Sequence, residues 1–411
     1  MAGSRYFENR MTLRDVDLSG KRVLVRVDFN APLGDDGEVA DDFRIRSALP
    51  TIKHILESGG LPILISHLGR PKGKVVAGLS LEPVRKVLEG LLGVEVKLAP
   101  DCVGEEVKTM AAALKTGEVL LLENSRFHAE EKANDPGFAE QLASLADVFV
   151  NDAFGTAHRA HASTEGVTHY LKPAVAGFLI EKELEFFGQM MTDPRRPFIA
   201  IIGGAKITGK IEVLKNLLDR VDALLVGGGI ANTFLKAQGR EIGSSLYEES
   251  TVDVAAEILE LAKSKGVDLV LPEDGVIADR VEAGAETGLL ANGEPVPEGY
   301  SIVDVGPRTV VRFIALIARA STIFWNGPLG VFEIEQFSHG TVEIARAVAA
   351  ASEGGAVSVI GGGDTASAIA RAGVTDMITH ISTGGGASLE FVEGRELPGI
   401  AALTRKGEGQ A

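Results

Sequence analysis

Four apolar runs in the second half of the chain empty into glycine: 198–202 into Gly203-Gly204, 223–226 into Gly227-Gly228-Gly229, 356–360 into Gly361-Gly362-Gly363, and 379–383 into Gly384-Gly385-Gly386. A strand that ends in such a turn and then opens a helix offers bare backbone N–H groups to an anion. Asp364-Thr365 follows the third triplet, which puts a carboxylate able to hold a cation beside those donors. A polyphosphate with its cation is the chemistry this pattern suits.

The stretch Gly204-Ala205-Lys206-Ile207-Thr208-Gly209-Lys210-Ile211 comes close to a Walker A loop. It fails at Ile211, where a Ser or Thr should hold Mg2+, so an ordinary P-loop NTPase is not expected. Lys206 and Lys210, four apart at a strand-to-helix turn, are expected on one helical face, reaching successive phosphates. Neither the triplet at 227–229 nor that at 361–363 continues to the last glycine of a dinucleotide fingerprint. One triplet alone can mark close helix packing. Three in one half, with Trp325-Asn326-Gly327-Pro328 at another strand end, are more than packing asks for, although Trp325 itself is expected in the core.

The first half supplies cations instead. Arg26-Val27-Asp28-Phe29-Asn30 closes a strand with polar groups, which a fully buried strand would avoid unless they face a cleft. Arg44 and Arg46 stand near the start of a helix-like segment, 43–56, where the macrodipole disfavours cations, so work other than helix stability is expected of them. His67-Leu68-Gly69-Arg70 follows the run 62–66, Arg126-Phe127-His128 follows 119–122, and Arg159 lies in His158-Arg159-Ala160-His161 after 148–151. Arginines repeated at the carboxyl ends of apolar strands read as a basic pocket for a phosphorylated carboxylate, which guanidinium forks pair bidentately.

The elements that must position these groups are apolar runs of strand length alternating with helix-like segments, the pattern of parallel sheets covered on both faces. Candidate strands are 23–27, 62–66, 94–98, 119–122, 148–151 and 174–178 in the first half. The second half offers 198–202, 223–226, 268–271, 322–325, 356–360 and 378–382. Between the halves, 180–191 reads as an amphipathic helix closed by the breaker-rich 192–197. The segment 292–299 is expected as a surface hairpin or loop, and the first ten residues and 405–411 are expected to fray.

At 411 residues and 45% hydrophobic, the chain can bury two or three cores. No apolar run approaches the ~18 residues that span a bilayer, and the N-terminus carries no apolar leader, so a soluble cytoplasmic protein is expected. Cys102 is the only cysteine, which excludes an intramolecular disulfide, a thiolate metal cluster and a redox pair; it is expected as a small buried hydrophobe. A net charge of −16 argues against nucleic acid or an anionic membrane as partner. Residues 1–180 carry 21 Lys+Arg against 25 Asp+Glu, whereas 181–411 carry 20 against 32, and six of the eight histidines lie in the first part. The first half is therefore the better equipped to bind a small anion.

These residues bring the chain to a known family. It closely resembles phosphoglycerate kinase along nearly its whole length, through VRVDFNAP from Val25, SHLGRP from Ser66, RFH from Arg126, NDAFGTAHRAH from Asn151, GGAK from Gly203, WNGPLGVFE from Trp325, GGGDT from Gly361 and STGGGASLE from Ser382. The resemblance implies an α/β fold of two doubly wound, Rossmann-like parallel-sheet domains joined by a hinge helix. Residues 1–180 would form an N-terminal 3-phosphoglycerate-binding domain and 181–395 a C-terminal nucleotide-binding domain, with a tail, 396–411, placed to return to the first. Substrate contacts would come from Asp28, Phe29, Asn30, Arg44, His67, Leu68, Gly69, Arg70, Arg126 and Arg159. Nucleotide contacts would come from Gly204, Ala205, Lys206, Lys210, Gly228, Gly229, Asn326, Pro328, Glu333, Gly362, Gly363, Asp364 and Thr365. Asp364 would position Mg2+ on the phosphates of ATP or ADP. Two minor departures from the family pattern are Ser125 before Arg126-Phe127-His128, and Glu273-Asp274-Gly275, where the family is more often apolar after its Asp.

The implied reaction is reversible phosphoryl transfer between ATP and the carboxylate of 3-phosphoglycerate, giving ADP and 1,3-bisphosphoglycerate, a step of glycolysis. A carboxylate nucleophile is already ionised at neutral pH and needs no strong general base. In-line alignment and cationic support for the oxygens in transit are needed, with Arg44 and Lys206 as the catalytic candidates and backbone N–H groups of Gly363 and Gly386 assisting. Domain closure that excludes water is implied, as is a monomer. A dinucleotide-dependent dehydrogenase and a non-catalytic two-domain anion-binding protein are the alternatives; the incomplete fingerprints weigh against the first and the missing leader against the second.

Overall fold

The computed structural model describes residues 9–291 and 293–407; expectations that fall on 1–8, 292 and 408–411 lie outside the described residues. The chain divides into two compact units, residues 1–188 with 395–411, and residues 189–394. The division falls within the helix Phe178–Thr192, eight residues beyond the expected boundary at 180/181.

In the first unit the strands are β1 (Arg22–Arg26), β2 (Leu61–Ile65), β3 (Val96–Leu98), β4 (Val119–Leu121), β5 (Val148–Asn151) and β6 (Ala174–Ala176). They form one parallel sheet in the order β3-β4-β2-β1-β5-β6. The last four residues of β1 and β2 and all of β5 are buried, because helices cover both faces and leave no polar side to alternate with. The helix Phe43–Glu57 shows how one face is closed: Ile45, Ala48, Ile52 and Ile55 recur at helical spacing and pack into the core with Val23, Val25 and Leu64.

The edge strand β6 does not stand open. Thr404 donates its backbone N–H to the carbonyl of Ala174 at 2.8 Å, and Met11 donates to the carbonyl of Thr404 at 2.8 Å. Asn151 Nδ2 donates to the Gly399 carbonyl at 2.9 Å, and Leu397, Ile400 and Leu403 are buried. Arg10 and Arg405, expected to fray, form a bridge to each other, and Lys406 pairs with Asp15 at 3.0 Å. The unit is thus closed by the two ends of its own chain.

The second unit contains β7 (Phe198–Ile202), β8 (Ala223–Val226), β9 (Asp268–Val270), β10 (Gly275–Ala278), β11 (Thr287–Leu290), β12 (Ser301–Val305), β13 (Thr322–Asn326), β14 (Val357–Gly361) and β15 (His380–Ile381). Six of them make a parallel sheet ordered β15-β14-β13-β7-β8-β9. The other three form a small antiparallel sheet, β11-β10-β12, that the alternation of runs and helices did not reveal. Residues 293–299, expected as a loop, connect two of its strands. The departure at Glu273-Asp274 has a local use: the Asp274 carboxylate accepts from the backbone N–H of Arg308 and Thr309 at 2.9 and 2.8 Å, capping the helix Pro307–Ile317. Glu273 pairs with Arg312 of that helix at 2.5 Å. Among the described residues no helix is long and apolar enough to cross a membrane.

Strand order decides where each unit can bind. In the first sheet the chain reverses direction between β1 and β5, and in the second between β7 and β13, so each has a switch point whose carboxyl-end crevice is the place for a ligand.

Candidate active site

At the carboxyl end of the first sheet, Asp28 and Asn30 follow β1, His67 follows β2, Arg126 follows β4 and Arg159 follows β5. Asp28, 5% exposed, accepts a hydrogen bond from Arg44 Nη1, which comes from the first turn of the helix Phe43–Glu57. Asn30 Oδ1 accepts from the backbone N–H of Gly69 at 2.8 Å, and Arg126 Nη1 donates to the Gly69 carbonyl at 2.8 Å. Three loops are thereby tied at one glycine. Arg70 and Arg159 are exposed, the latter donating through Nε to His158 Nε2 at 3.0 Å.

Phe29 and Leu68 play a different part from the polar members of the set. Both side chains lie in the core; Phe29 N–H is bonded to Ser66 Oγ at 2.8 Å, and Asn124 bonds both the N–H and the carbonyl of Leu68. They hold the strand ends in place. Arg46, grouped with Arg44 as misplaced near a helix start, is an exposed partner of Asp42 at 2.8 Å, so a local ion pair accounts for it.

The electrostatics of this end are those of crowded cations. Arg126 is pushed down to about 10 by burial and by Arg26 and Arg159 beside it. His161 is lowered to about 4 by burial and then by Arg26, Arg126, Arg159 and Lys132. Groups held against both desolvation and like charge mark a site arranged to receive an anion.

A buried polar layer beneath these groups was not singled out from the sequence. Arg26, 1% exposed, donates through Nε to Ser163 Oγ at 2.8 Å, and Ser163 Oγ donates to Glu131 Oε1 at 2.6 Å. Glu131 is itself 1% exposed. Arg26 in the middle of an apolar run was the one available signal. Nearby, Asp101, Cys102 and His128 bring potential ligand atoms within 4.8 Å of one another. His128 is bonded to Asp101 at 2.5 Å, and the Cys102 thiol donates to the Glu123 carbonyl at 2.9 Å. Burial and then the surrounding carboxylates raise the thiol's pKa well above its ordinary value, so Cys102 is a packed thiol.

The carboxyl end of the second sheet is built of backbone. A Cβ on Gly203 would lie 2.0 Å from the Pro328 carbonyl oxygen, so only glycine lets the end of β7 touch the turn after β13. Gly203 N–H donates to the Asn326 carbonyl at 3.0 Å, and Gly204 N–H to that of Pro328 at 2.8 Å. Gly228 adopts φ +64, strained for any side chain, and donates to the Leu329 carbonyl at 2.9 Å. The helices Gly228–Ala237 and Gly363–Arg371 start here, their first-turn N–H groups outside any intrahelical ladder.

Lys206 and Lys210 are not on one helical face, because residues 203–207 are irregular and the short 3-10 turn Thr208–Lys210 precedes the helix Ile211–Leu217. Lys206 is exposed. Lys210 is half-buried, with Nζ donating to the carbonyls of Gly203 at 2.7 Å and Asn326 at 3.1 Å. Burial lowers its pKa to about 8, with Asp364 opposing. Asp364 is exposed in the first turn of Gly363–Arg371, while Thr365 Oγ1 accepts from Gly327 N–H at 2.7 Å. Trp325 is fully buried, its Nε1 donating to the Gly327 carbonyl at 2.8 Å. Gly386, exposed, opens the helix Gly386–Val392.

These turns border a cavity of about 280 Å³ to which Gly204, Ala205, Gly228, Gly229, Pro328, Glu333 and Asp364 contribute. Its opposite wall comes from Leu290, Ile302 and Val303 of the small antiparallel sheet, with Asn232 and Leu246. Apolar side chains on short strands carry no chemical signature, which is why the wall was missed. Glycine turns on one side, with Lys206 and Lys210 in the loop that continues from Gly204, and apolar side chains on the other suit a ligand with an anionic end and a flat, weakly polar one.

Comparison with known proteins gives the same answer throughout. The family model described as phosphoglycerate kinase matches residues 13–395. The chain is 58% identical over 395 residues to the phosphoglycerate kinase of Chloroherpeton thalassium, covering 96% of this chain and 99% of that one. It is 58% identical over 397 residues to that of Moorella thermoacetica, covering 97% and 100%. Among solved structures, phosphoglycerate kinase from Coxiella burnetii superposes with a TM-score of 0.85 at 43% identity, covering 96% of this chain and 98% of the other. That from Pyrococcus horikoshii gives 0.83 at 35% identity with the same coverage. The chain belongs to the phosphoglycerate kinase family and is a phosphotransferase enzyme with that activity. The dehydrogenase and the non-catalytic binding protein are thereby set aside.

Proposed function

We propose that this member of the family holds 3-phosphoglycerate at the carboxyl end of its first sheet and a magnesium-bound nucleotide at that of its second, and moves a phosphoryl group reversibly between ATP and the substrate carboxylate. The observation that carries the reading is Arg126, pressed among Arg26 and Arg159 with its pKa drawn down to about 10. An incoming phosphate would relieve that repulsion. Asn30, Arg44, His67, Arg70, Arg126 and Arg159 would contact the triose. Asp28 would hold Arg44, and Phe29, Leu68 and Gly69 would shape the turns that carry the others.

In the second unit the N–H groups at Gly229, Gly362 and Gly363, with Lys206 and Lys210, would take the phosphates, and Gly228, whose N–H is bonded to the Leu329 carbonyl, would shape the turn that carries them. The purine would lie against the apolar wall, with Ala205, Pro328 and Glu333 at the rim. Thr365 and Asn326 would act by fixing the turn that follows β13. Asp364 is an exposed carboxylate next to helix N–H donors, a hard oxygen ligand of the kind that would hold Mg2+. When bound, Mg2+ would neutralise phosphate charge.

The residues of this chain would then do three things. Arg44 and Lys206 would support the oxygens of the phosphoryl group in transit, one from each unit. Gly363 and Gly386 N–H groups would add fixed dipoles at no reorganisation cost. Bringing both sites around one reacting pair would exclude water, and the helix Phe178–Thr192, which runs through the division of the units, is the segment to act as the hinge. The net charge of −16 weighs against nucleic acid or an anionic membrane as partner; the enzyme would act on small molecules as a step of glycolysis in the cytoplasm, and a monomer would suffice because both half-sites are on one chain.

The test is ADP release from Mg-ATP on adding 3-phosphoglycerate, followed in the wild type and in Arg126→Ala. Turnover that requires 3-phosphoglycerate, with its KM raised in the variant and that of ATP little changed, supports the assignment. Absence of 3-phosphoglycerate-dependent turnover in the folded wild type rejects it.

A further inference from the structure

We infer that His67 works in the triose site as a neutral imidazole fixed in the tautomer that carries its proton on Nε2, and that Arg26, latched by Ser163 and Glu131, imposes that state. The inference rests on reading the first unit as the triose site. It concerns what His67 can offer there.

Arg26 Nη2 lies 3.1 Å from His67 Nδ1. A guanidinium has only donors, so Nδ1 must accept with its lone pair and the ring's proton must be on Nε2. The direction of each neighbouring bond is equally determined. Ser163 Oγ accepts from Arg26 Nε at 2.8 Å and spends its single proton on Glu131 Oε1 at 2.6 Å, while Ser163 N–H donates to Glu131 Oε2 at 3.0 Å. Arg26 Nη1 donates to the Val27 carbonyl. With Arg26 and Glu131 each 1% exposed and Ser163 fully buried, the guanidinium has no room to turn away from His67.

An imidazolium has one potential ally, Asp28, whose Oδ1 is 3.9 Å from His67 Nδ1. That carboxylate is bonded to Arg44, and Arg26 already occupies Nδ1. Facing the ring from the other elements are Arg44 of the helix Phe43–Glu57, Arg126 after β4 and Arg159 after β5; burial first, then Arg26, Arg126, Arg44 and Arg159, hold its pKa well below the usual value. The positive charge of the site therefore comes from its arginines. His67 adds a directional N–H donor whose state does not change across the neutral pH range.

The direct test is 15N NMR of the histidine-labelled, unliganded protein between about pH 6 and about pH 8, with the His67 signals assigned by their loss in His67→Gln. One protonated and one lone-pair nitrogen, unchanged through about pH 6.5, is the expected result; two protonated nitrogens, a proton on Nδ1 or exchange-averaged signals overturn the inference. In Ser163→Ala, which cuts the latch and leaves the proposed substrate contacts in place, the single tautomer should give way to averaged signals. An unchanged spectrum would overturn the role of Ser163 and Glu131.

A second readout separates the ring nitrogens. Glutamine places its amide nitrogen where Nε2 stands and asparagine where Nδ1 stands, so His67→Gln should bind 3-phosphoglycerate at least ~10-fold tighter than His67→Asn. Equal loss in the two overturns the assignment of Nε2 as the donor. The expected spectrum in a protein with no 3-phosphoglycerate affinity would reject the triose reading and still support the latched tautomer.

Discussion

Arg44 donates to the carboxylate of Asp28, a group buried at the end of β1 whose other oxygen lies 3.9 Å from His67. A cation in the first turn of a helix is opposed by the macrodipole, and this ion pair supplies the compensation. It also sets the guanidinium before any substrate arrives. Arg44→Ala should lower turnover at least ~100-fold, the size typical of removing one transition-state charge partner, while Mg-ADP affinity changes little. Steady-state kinetics with calorimetry checks it, and near-normal turnover in a folded variant would reject the role. Asp28→Asn should lower turnover less, because Arg44 keeps its charge and loses its anchor.

Asp364→Asn should weaken Mg-ADP binding and leave 3-phosphoglycerate binding unchanged, since a neutral amide is a poor ligand for a hard cation. Asp364 is in the first turn of its helix, where its charge also favours the helix start, so the unfolding temperature of the variant, measured alongside, separates loss of a metal ligand from loss of helix stability. Titration calorimetry on the variant with each ligand decides it.

Lys210 links nucleotide binding to pH. Burial lowers its pKa to about 8, so part of the population has lost the proton at that pH, whereas the unfolded chain holds it to about 10.5. Between these values the unfolded state binds more protons, and this group's contribution makes stability rise with pH. A polyphosphate near Nζ restores the charge, so Mg-ADP binding at about pH 8 should take up protons. Calorimetry in buffers of different ionisation enthalpy measures the uptake, and Lys210→Met should abolish it.

Asp304 acts in the opposite sense. Burial raises its carboxylate to about 7, although Gly340 and Val305 N–H groups donate to it at 2.7 and 2.9 Å. The folded state then holds a proton that the unfolded chain releases near 3.8, so this contribution is fully present at low pH and is lost as pH rises towards 7. Asp304→Asn should flatten the fall in unfolding temperature between about pH 5 and about pH 8. A wild-type profile with the same slope as the variant's would contradict the assignment.

Truncation after Gly394 should damage the first unit and spare the second. It removes the buried Leu397, Ile400 and Leu403, each worth ~1.5–3 kcal/mol, and the bonds from Thr404 to β6. The loss, on the order of 5 kcal/mol, is a large part of the stability of a typical domain. Differential scanning calorimetry should show one transition moving down steeply and one left in place. For the same reason a fragment of residues 1–180 is an incomplete domain, and a test of its binding requires the tail to be supplied.

What could be read in the sequence was whatever the fold demands of particular side chains. Gly203 and Gly228 announce a close approach and a left-handed turn, and the arginines at strand ends announce a site because burial would otherwise exclude them. The helical face assigned to Lys206 and Lys210 was wrong because spacing alone cannot tell an irregular loop and 3-10 turn from the helix that follows. The apolar wall of Leu290, Ile302 and Val303 was missed because short antiparallel strands leave little periodicity. The closure of β6 by Thr404 was invisible for a simpler reason: it is made by backbone groups, which every residue carries.

That closure sets an order of events during synthesis. Residues 189–394 are one uninterrupted stretch, so the second unit can complete itself as soon as it clears the ribosome, whereas the first must wait for residues beyond 394. At ~5–20 residues per second, the wait lasts roughly 10 to 40 s. Throughout it the Ala174 end of the β6 edge lacks Thr404, although Met11 and Thr12 can already cover Ala176, and that open end leaves the growing polypeptide able to mispair with its neighbours on a polysome.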